Sequence, residues 1–186
     1  MSNAPSAVPG VLLLCVDLQP AFIKAVSDGA NLLKRCAFSI EAAAGLGIPV
    51  VFTEQMPVKL GATEPKLIKL APSAGVYAKN TFSIFADDGI RDMFRTMDVE
   101  HVILCGLETS VCIYQTALGS LEANTQVTVL TDAVGSRRPA DAAACMAALA
   151  RSGVHLLPSE TVFYALLHDA AHPFFKDFTK LVKKYA

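Results

Sequence analysis

The sequence has little charge. Asp, Glu, Lys and Arg make up 18% of its 186 residues, and the formal net charge is -1 at pH 7. A chain so close to neutral has no overall field that would attract nucleic acid, so we expect no nucleic-acid partner. No apolar stretch reaches the roughly 20 residues that a membrane-spanning helix needs, and no membrane partner is expected.

The start of the chain has no signal-like pattern. Residues 1–10 lack the basic start and the long apolar core of a secretory signal. They are predicted to form a short disordered lead. The remaining residues, 11–186, fit one domain by length.

Paired cysteine spacings are also missing. The five cysteines are an odd number and include no Cys-x-x-Cys pair, which favours neither a zinc ribbon nor a disulfide framework. We therefore expect a reducing compartment and predict a cytoplasmic location, with an organelle such as the mitochondrion as the alternative. Neither the glycine-rich dinucleotide motif nor the P-loop motif occurs, so no cofactor is expected.

Apolar runs alternate with helical patterns along nearly the whole chain. The predicted strands are Val11–Val16, Pro49–Thr53, Val76–Lys79, His101–Cys105, Gln126–Thr131 and Val154–Leu157. The predicted helices are Asn31–Leu46, Ala86–Met97, Thr109–Ala123, Pro139–Arg151, Thr161–His168 and Pro173–Tyr185. This alternation predicts an α/β fold with a mainly parallel sheet and helices on both faces.

The fold class predicts where a ligand would bind, because ligands of open α/β sheets bind at the carboxyl ends of the strands. The candidate segments are therefore Asp17–Gln19, Thr53–Gln55, Lys79–Thr81, Gly106–Cys112 and Asp132–Arg137. From these segments and the residues beside them, we expect the pocket to include Gln19, Phe22, Gln55, Thr81, Thr109 and Ser110.

Cys112 differs from the other cysteines in its position. It falls in the first turn of a predicted helix, where free amide groups favour a thiolate, and Thr109 or Ser110 is available as the N-cap. The others lie inside predicted strands or helices and are expected to be small buried side chains: Cys15, Cys36, Cys105 and Cys145. Cys112 is thus the candidate nucleophile, with a packed thiol as the alternative.

Asp17 and Lys79 are the candidate partners of this thiol. Asp17 directly follows the first strand, and Lys79 lies among apolar and small residues, where a buried ammonium would need a partner such as Asp17. Asp17 would take the thiol proton, Lys79 would favour the thiolate, and Cys112 would attack a carbonyl carbon to form a thioester. A helix cap and a solvent-facing loop lysine are the respective alternatives.

A histidine-based metal site is not predicted. His168 and His172 have the i, i+4 spacing of a zinc motif, but the residue after His168 is Asp169 rather than Glu, and Pro173 follows at once.

Several ordered motifs carry a family resemblance. VLLLCVDLQPAF and GLETSVCIYQTAL resemble the first-strand and nucleophile motifs of the isochorismatase-like hydrolases. TEQMPVKLG, KNTFSIF, DAVGSRRPAD and SETVFYALL look like the branch of isochorismatase domain-containing proteins. The resemblance runs from about Val11 to Phe175. It implies a three-layer α/β/α sandwich with a six-stranded sheet, and frequently a homo-oligomer.

The resemblance also assigns site residues. It maps Asp17, Lys79 and Cys112 onto the family's Asp-Lys-Cys triad. It implies a non-proline cis peptide at Leu107–Glu108, with the amides of Glu108 and Cys112 directed toward one oxyanion.

Two positions depart from related branches. The nicotinamidase branch carries an Asp-x-His metal motif where this chain has Thr53-Glu54-Gln55, so no metal is indicated. Close relatives often have His where this chain has Ser110, a change that leaves the triad intact.

Three functions follow as hypotheses. The leading one is hydrolysis of a small amide or another acyl compound, with a small molecule as the substrate. The alternative is a catalytically inactive binding or scaffold protein. The third is a nucleic-acid enzyme or binder that uses the basic residues of the last helix, which otherwise form a solvated face: Lys176, Lys180, Lys183 and Lys184.

Overall fold

The computed structural model of the protein describes residues 8–186. Its strands are β1 (Val11–Val16), β2 (Val50–Gln55), β3 (Gly75–Lys79), β4 (His101–Leu107), β5 (Gln126–Gly135) and β6 (His155–Leu157). All neighbouring strands pair in parallel, and they form one sheet in the order β3-β2-β1-β4-β5-β6.

The helices connect these strands. They are α1 (Pro20–Ile23), α2 (Gly29–Gly45), α3 (Pro57–Leu60), α4 (Pro65–Ile68), α5 (Asp88–Thr96), α6 (Tyr114–Glu122), α7 (Pro139–Arg151), α8 (Ser159–Leu167) and α9 (Phe175–Lys184). A 3₁₀ turn spans Ile84–Ala86, and a π-helical turn spans Thr109–Ile113. No helix within residues 8–186 is long and apolar enough to cross a membrane.

The sheet is the middle layer of three. Successive side chains of β1 point to opposite faces, as in any strand. Leu13 and Cys15 pack with residues of α2, α8 and α9 on one face. Leu12, Leu14 and Val16 pack with residues of α5, α6 and α7 on the other. The predicted three-layer α/β/α sandwich with a six-stranded parallel sheet is confirmed.

Three strands extend beyond their predicted ends: β2 to Gln55, β4 to Leu107 and β5 to Gly135. β4 and β5 stay paired through Gly106–Val134 and Leu107–Gly135, after a shift of register between Leu104 and Gly106. The apolar run of β5 is interrupted by Asp132, which the sequence pattern marks as a strand end. In the structure its carboxylate accepts hydrogen bonds from Arg35 and Ser159, so the strand continues past it.

The predicted helix Thr109–Ala123 is divided. Its first residues form the π-helical turn, and the α-helix begins only at Tyr114. Periodicity did not predict the short helices α1, α3 and α4. Each has four residues and begins with proline, and this is too short for a helical repeat to show.

The predicted disordered lead falls mainly on residues 1–7, which lie outside the described part of the chain. Residues 8–10 are described, and Val8 packs against the core that contains α2. The carbonyl of Gly10 accepts hydrogen bonds from the amides of Glu100 (2.8 Å) and His101 (2.9 Å). Ordered contacts therefore begin before the predicted boundary.

The strand order creates a crevice between β1 and β4. From β1 the chain proceeds to β2 and β3 on one side, and from β4 to β5 and β6 on the other. Such a switch point is where open α/β sheets bind ligands, at the carboxyl ends of the strands. Val16 at the end of β1 is paired with Gly106 near the end of β4, so the segments after both strands meet there.

Gly106 is required by this close approach. Its φ is +114°, and a Cβ built on it would lie 2.1 Å from the carbonyl oxygen of Val16. We expect Gly106→Ala to lower the free energy of unfolding by about 3 kcal/mol or more, from backbone strain and overpacking together. Urea unfolding followed by circular dichroism measures the loss.

Gly153→Ala is the matched control. Gly153 also has a positive φ, +91°, but nothing lies within 4 Å of an added Cβ. Gly153→Ala should lower the free energy of unfolding by only about 1 kcal/mol, because only the left-handed backbone is strained. Equal losses in the two variants would contradict a steric role for Gly106.

Candidate active site

Asp17, Lys79 and Cys112 meet at the crevice. Asp17 directly follows β1, Lys79 is the last residue of β3, and Cys112 lies in the π-helical turn after β4. The Lys79 Nζ lies 2.7 Å from the Asp17 Oδ2 and 3.7 Å from the Cys112 Sγ. All three residues are buried. Three positions that are far apart in sequence thus form one cluster.

The Lys79 ammonium is fully enclosed by acceptors. Besides Asp17 and Cys112, it donates to the side-chain oxygen of Gln55 at 2.6 Å and to the carbonyl of Thr81 at 3.2 Å. Burying an ammonium without partners is costly, and these contacts compensate that cost. The side chain is therefore fixed with its charge directed at the carboxylate and the sulfur.

The Asp17 carboxylate is oriented by two strands. Its Oδ1 accepts a hydrogen bond from the Thr53 hydroxyl at 2.8 Å, while its Oδ2 pairs with Lys79. Its backbone amide donates to the Thr53 carbonyl at 3.1 Å, and its φ is +49°. The positive φ turns the chain sharply at this residue, directly after the end of β1.

Cys112 rests as a neutral thiol. Burial and the nearby Asp17 carboxylate raise its pKa to about 12, while Lys79 and the backbone amide of Glu108 act in the opposite direction. The expected amide effect is present, since the backbone amide of Glu108 lowers the pKa of Cys112, but it does not decide the sign of the shift. Desolvation and the carboxylate outweigh the cation and the amide, and Cys112 lies before the α-helix rather than in its first turn.

The remaining cysteines have no comparable partners. Cys15, Cys36 and Cys105 are fully buried in the core, and Cys145 is half-buried on α7. Burial raises the pKa of Cys15 well above its ordinary value. Cys112 alone among the five borders the Asp17–Lys79 pair.

Thr109 and Ser110 hold the π-helical turn against β5. The Thr109 hydroxyl donates to the carbonyl of Gly135 at 3.0 Å, and the Ser110 hydroxyl lies 3.1 Å from that of Ser136. Neither caps the helix as the sequence suggested: Glu108 occupies the cap position and its side chain makes no capping hydrogen bond. Both hydroxyls thus hold the turn in place, and neither residue lines the cleft.

Gln19 and Thr81 also support the site without lining the cleft. The Gln19 side chain accepts from the Gln55 amide at 2.8 Å and donates to the carbonyls of Gln55 (3.1 Å) and Gly61 (2.6 Å). The Thr81 hydroxyl donates to the Ser83 carbonyl at 2.8 Å. Gln19 therefore fastens the end of β2, and Thr81 fixes the loop whose carbonyl contacts Lys79.

A small cleft opens beside the sulfur of Cys112. Its volume is about 130 Å³. It is lined by Asp17, Phe22, Gln55, Phe82, Leu107, Glu108, Val111, Cys112 and Arg137. The expected pocket residues Phe22 and Gln55 are part of this lining, whereas Gln19, Thr81, Thr109 and Ser110 are not.

Sequence reasoning did not include Phe82, Leu107, Val111 and Arg137 in the pocket. Arg137 lay within a candidate segment after β5, and Phe82 follows the Lys79–Thr81 segment directly. Position at a strand end was thus the available signal for both. The bond Leu107–Glu108 is cis, as the family resemblance implied.

Another cavity is larger but has fewer reactive side chains in its lining. It measures about 390 Å³ and lies where β2 and β3 begin, near Pro49 and Gly75. Its lining contains no carboxylate, lysine or cysteine. The small cleft is the better candidate because it alone of the two touches the ionisable cluster.

The part of the chain from residue 8 onward holds no group of three or more His, Cys, Asp or Glu side chains placed to bind a metal ion. His172 accepts a hydrogen bond on its Nδ1 from the Phe174 amide at 3.1 Å. In the place of the nicotinamidase metal motif, Gln55 contacts Lys79 instead.

Comparison with known proteins places this chain in a family. The family model described as Isochorismatase domain matches residues 11–161. Isochorismatase domain-containing protein 2 of Xenopus laevis is 36% identical over 176 residues, which cover 95% of this chain and 84% of that protein.

Solved structures agree on the fold. The structure of MAR1 ribonuclease from Caenorhabditis elegans superposes with a TM-score of 0.89 at 31% identity, covering 97% of this chain and 93% of that one. The YcaC gene product of Escherichia coli, described as an octameric hydrolase of unknown specificity, shares the fold with a TM-score of 0.84 at 19% identity, covering 100% and 98% of the two chains.

Replacing Asp17 should shift the titration of Cys112. The carboxylate raises the thiol pKa and Lys79 lowers it, so Asp17→Asn should bring the pKa of Cys112 down from about 12. The pH dependence of alkylation by iodoacetamide, measured at the Cys112 peptide by mass spectrometry, reports this pKa.

The exposed Asp92→Asn variant, which removes a carboxylate paired with Arg95 at the surface, is the control and should leave the profile in place. An Asp17→Asn profile identical to that of the unchanged protein, or moved to higher pH, would contradict the electrostatic account of the site.

Proposed function

The chain belongs to the isochorismatase family, and on this basis we propose that it is a cysteine hydrolase of a small amide or another small acyl compound. The observation that carries the proposal is the buried contact of the Lys79 ammonium with both the Asp17 carboxylate and the Cys112 sulfur. A thiol, a base and a cation beside one cleft are the groups that thioester chemistry requires. The family's fold relatives include a hydrolase.

In the proposed first step, the Cys112 Sγ attacks the carbonyl carbon while its proton passes to the Asp17 carboxylate. Because the resting group is a thiol, proton transfer accompanies the attack instead of preceding it. Lys79 stabilises the negative charge that develops on the sulfur as its proton leaves. The backbone amides of Glu108 and Cys112 are proposed to bind the oxyanion of the tetrahedral intermediate.

The intermediate then collapses. The leaving amine departs with the proton held by Asp17, and a thioester remains on Cys112. In the second step a water molecule attacks the thioester and gives a proton to Asp17. The carboxylic acid is released, and the sulfur recovers its proton from Asp17. In these steps Asp17 carries the proton, Cys112 carries the acyl group, and the two backbone amides hold the oxyanion.

Pocket residues divide by task in this proposal. Phe22 and Gln55 line the cleft where a small-molecule substrate would bind. Gln55 also contacts Lys79, so it links the substrate to the cation. Gln19, Thr81, Thr109 and Ser110 act indirectly, by fixing the segments that carry these groups.

Two further expectations stay predictions. A homo-oligomer is expected from the family resemblance, and the Escherichia coli relative is described as octameric. A cytoplasmic location is expected from the unpaired cysteines, all five of which are free.

Cys112→Ala should keep the fold and abolish acyl transfer. Mixed with p-nitrophenyl acetate, the unchanged protein should release a burst of p-nitrophenolate as Cys112 is acetylated. Removing the nucleophile should lower the burst rate about a thousandfold or more.

Cys145→Ala, which removes the half-buried thiol of α7, is the matched control and should retain the burst. An undiminished burst in the Cys112→Ala protein would contradict the nucleophile assignment. A folded protein with no Cys112-dependent reaction toward this ester or a panel of small amides would favour a non-catalytic binding protein.

The Caenorhabditis elegans relative is described as a ribonuclease, which raises a second candidate function. Two observations weigh against it in this chain. Among the lysines of α9, Lys180 pairs with Asp177 and Lys184 with Glu41. The helix packs against α2, in the layer opposite the π-helical turn that carries Cys112.

We therefore expect no binding of a short single-stranded RNA at low salt, where electrostatic binding is strongest. Fluorescence anisotropy with a labelled oligonucleotide measures this. Salt-sensitive binding together with RNA cleavage that is lost in Cys112→Ala would support the ribonuclease function instead.

A further inference from the structure

The cleft beside Cys112 has a charged mouth. Arg137, two residues after the end of β5, is the one cationic side chain among the described residues that line the cleft. Its side chain is 63% exposed. A solvent-exposed guanidinium thus lines the same cleft as the reactive sulfur.

Arg137 is held in place by Glu108. The Nε of Arg137 forms an ion pair with the Glu108 carboxylate, whose side chain is only 8% exposed. A guanidinium has five N–H donors in a planar fork, and one carboxylate oxygen does not occupy them all. The pair therefore positions Arg137 while donors remain for a second acceptor.

The cleft also contains the carboxylates of Asp17 and Glu108, each of which is paired with a cation, and its other walls favour a short apolar body. Phe22, Phe82, Leu107 and Val111 supply hydrocarbon surface around it. The volume of about 130 Å³ is roughly that of four water molecules in the liquid. A short apolar substrate in this cleft would place a few carbon atoms between the sulfur and the guanidinium.

We propose that Arg137 binds a carboxylate group of the substrate, so that the substrates are small acyl compounds that carry a carboxylate at the end away from the reacting carbonyl. Arginine suits this task because its fork matches the two oxygens of a carboxylate. The inference rests on the proposed hydrolase function and deepens it.

Two alkylating reagents of matched size test the proposal. Iodoacetate carries a carboxylate, and iodoacetamide carries a neutral amide in its place. With either reagent the Cys112 Sγ forms a bond to carbon, iodide leaves, and the thiol proton passes to Asp17 and then to water. The readout is the ratio of the two rate constants at the Cys112 peptide, measured by mass spectrometry.

Arg137→Gln should lower the iodoacetate-to-iodoacetamide ratio by about fivefold, the effect of losing one partly exposed charge contact. Arg138→Gln is the matched control: it removes the same charge from the next residue, whose side chain is 82% exposed and pairs with Asp141. Its ratio should equal that of the unchanged protein. An unchanged ratio in Arg137→Gln, or an equal fall in Arg138→Gln, would overturn the proposal.

The double variant Glu108→Gln with Arg137→Gln separates binding by Arg137 from repulsion by an unpaired Glu108. If Arg137 binds the anion directly, the ratio stays low in the double variant. A ratio restored to that of the unchanged protein would show that Glu108 repels the reagent, and would overturn the proposal. Failure of both reagents to modify Cys112 in the unchanged protein would instead contradict the nucleophile assignment on which the inference depends.

Discussion

The ion pair of Lys79 and Asp17 is the interaction on which the site depends. It places opposite charges 2.7 Å apart with almost no exposure to solvent. Removing two charges from water costs several kcal/mol for each ion, and their attraction offsets this only when the remaining donors and acceptors are also satisfied. Thr53 and Gln55 of β2 supply those contacts. Three adjacent strands are therefore needed to hold one pair of charges.

Such a pair is a poor device for stability, because well-packed apolar residues of similar volume would often serve as well or better. Its position explains its presence. It borders the sulfur of Cys112, and its two members act on the pKa of that thiol in opposite directions. The balance leaves a neutral thiol beside the pair of charges. In the proposed mechanism, attack and proton transfer occur together in a site whose three residues are buried.

Much of this arrangement could be predicted from the sequence. The apolar runs that end at Asp17 and Lys79 located both residues at one edge of the sheet, and the parallel pairing Gln55–Lys79 agrees with that placement. Cys112 could be separated from the other thiols by its position between a strand and a helix. The strand order then accounts for the meeting of all these groups, because β1 and β4 flank the switch point.

What could not be predicted depends on the paths of loops and on the directions of side chains. The Gln19 amide turns toward Gln55 and Gly61, and no local pattern signals this. No pattern in the sequence separated the π-helical turn from the α-helix that follows it. The entry of Phe82 and Arg137 into the cleft depends on how the chain leaves β3 and β5. The rise in the pKa of Cys112 could not be predicted either, because its largest cause is burial, which is known only from the packed structure.

The central claim is that the Cys112 sulfur carries the acyl group during hydrolysis. Acid quenching of the reaction with p-nitrophenyl acetate, followed by peptide mass mapping and treatment with neutral hydroxylamine, tests it most directly. The account predicts an acetyl group on the Cys112 peptide that hydroxylamine removes, as it does from a thioester. An acetyl group on another residue, or one on this peptide that resists hydroxylamine, would contradict it.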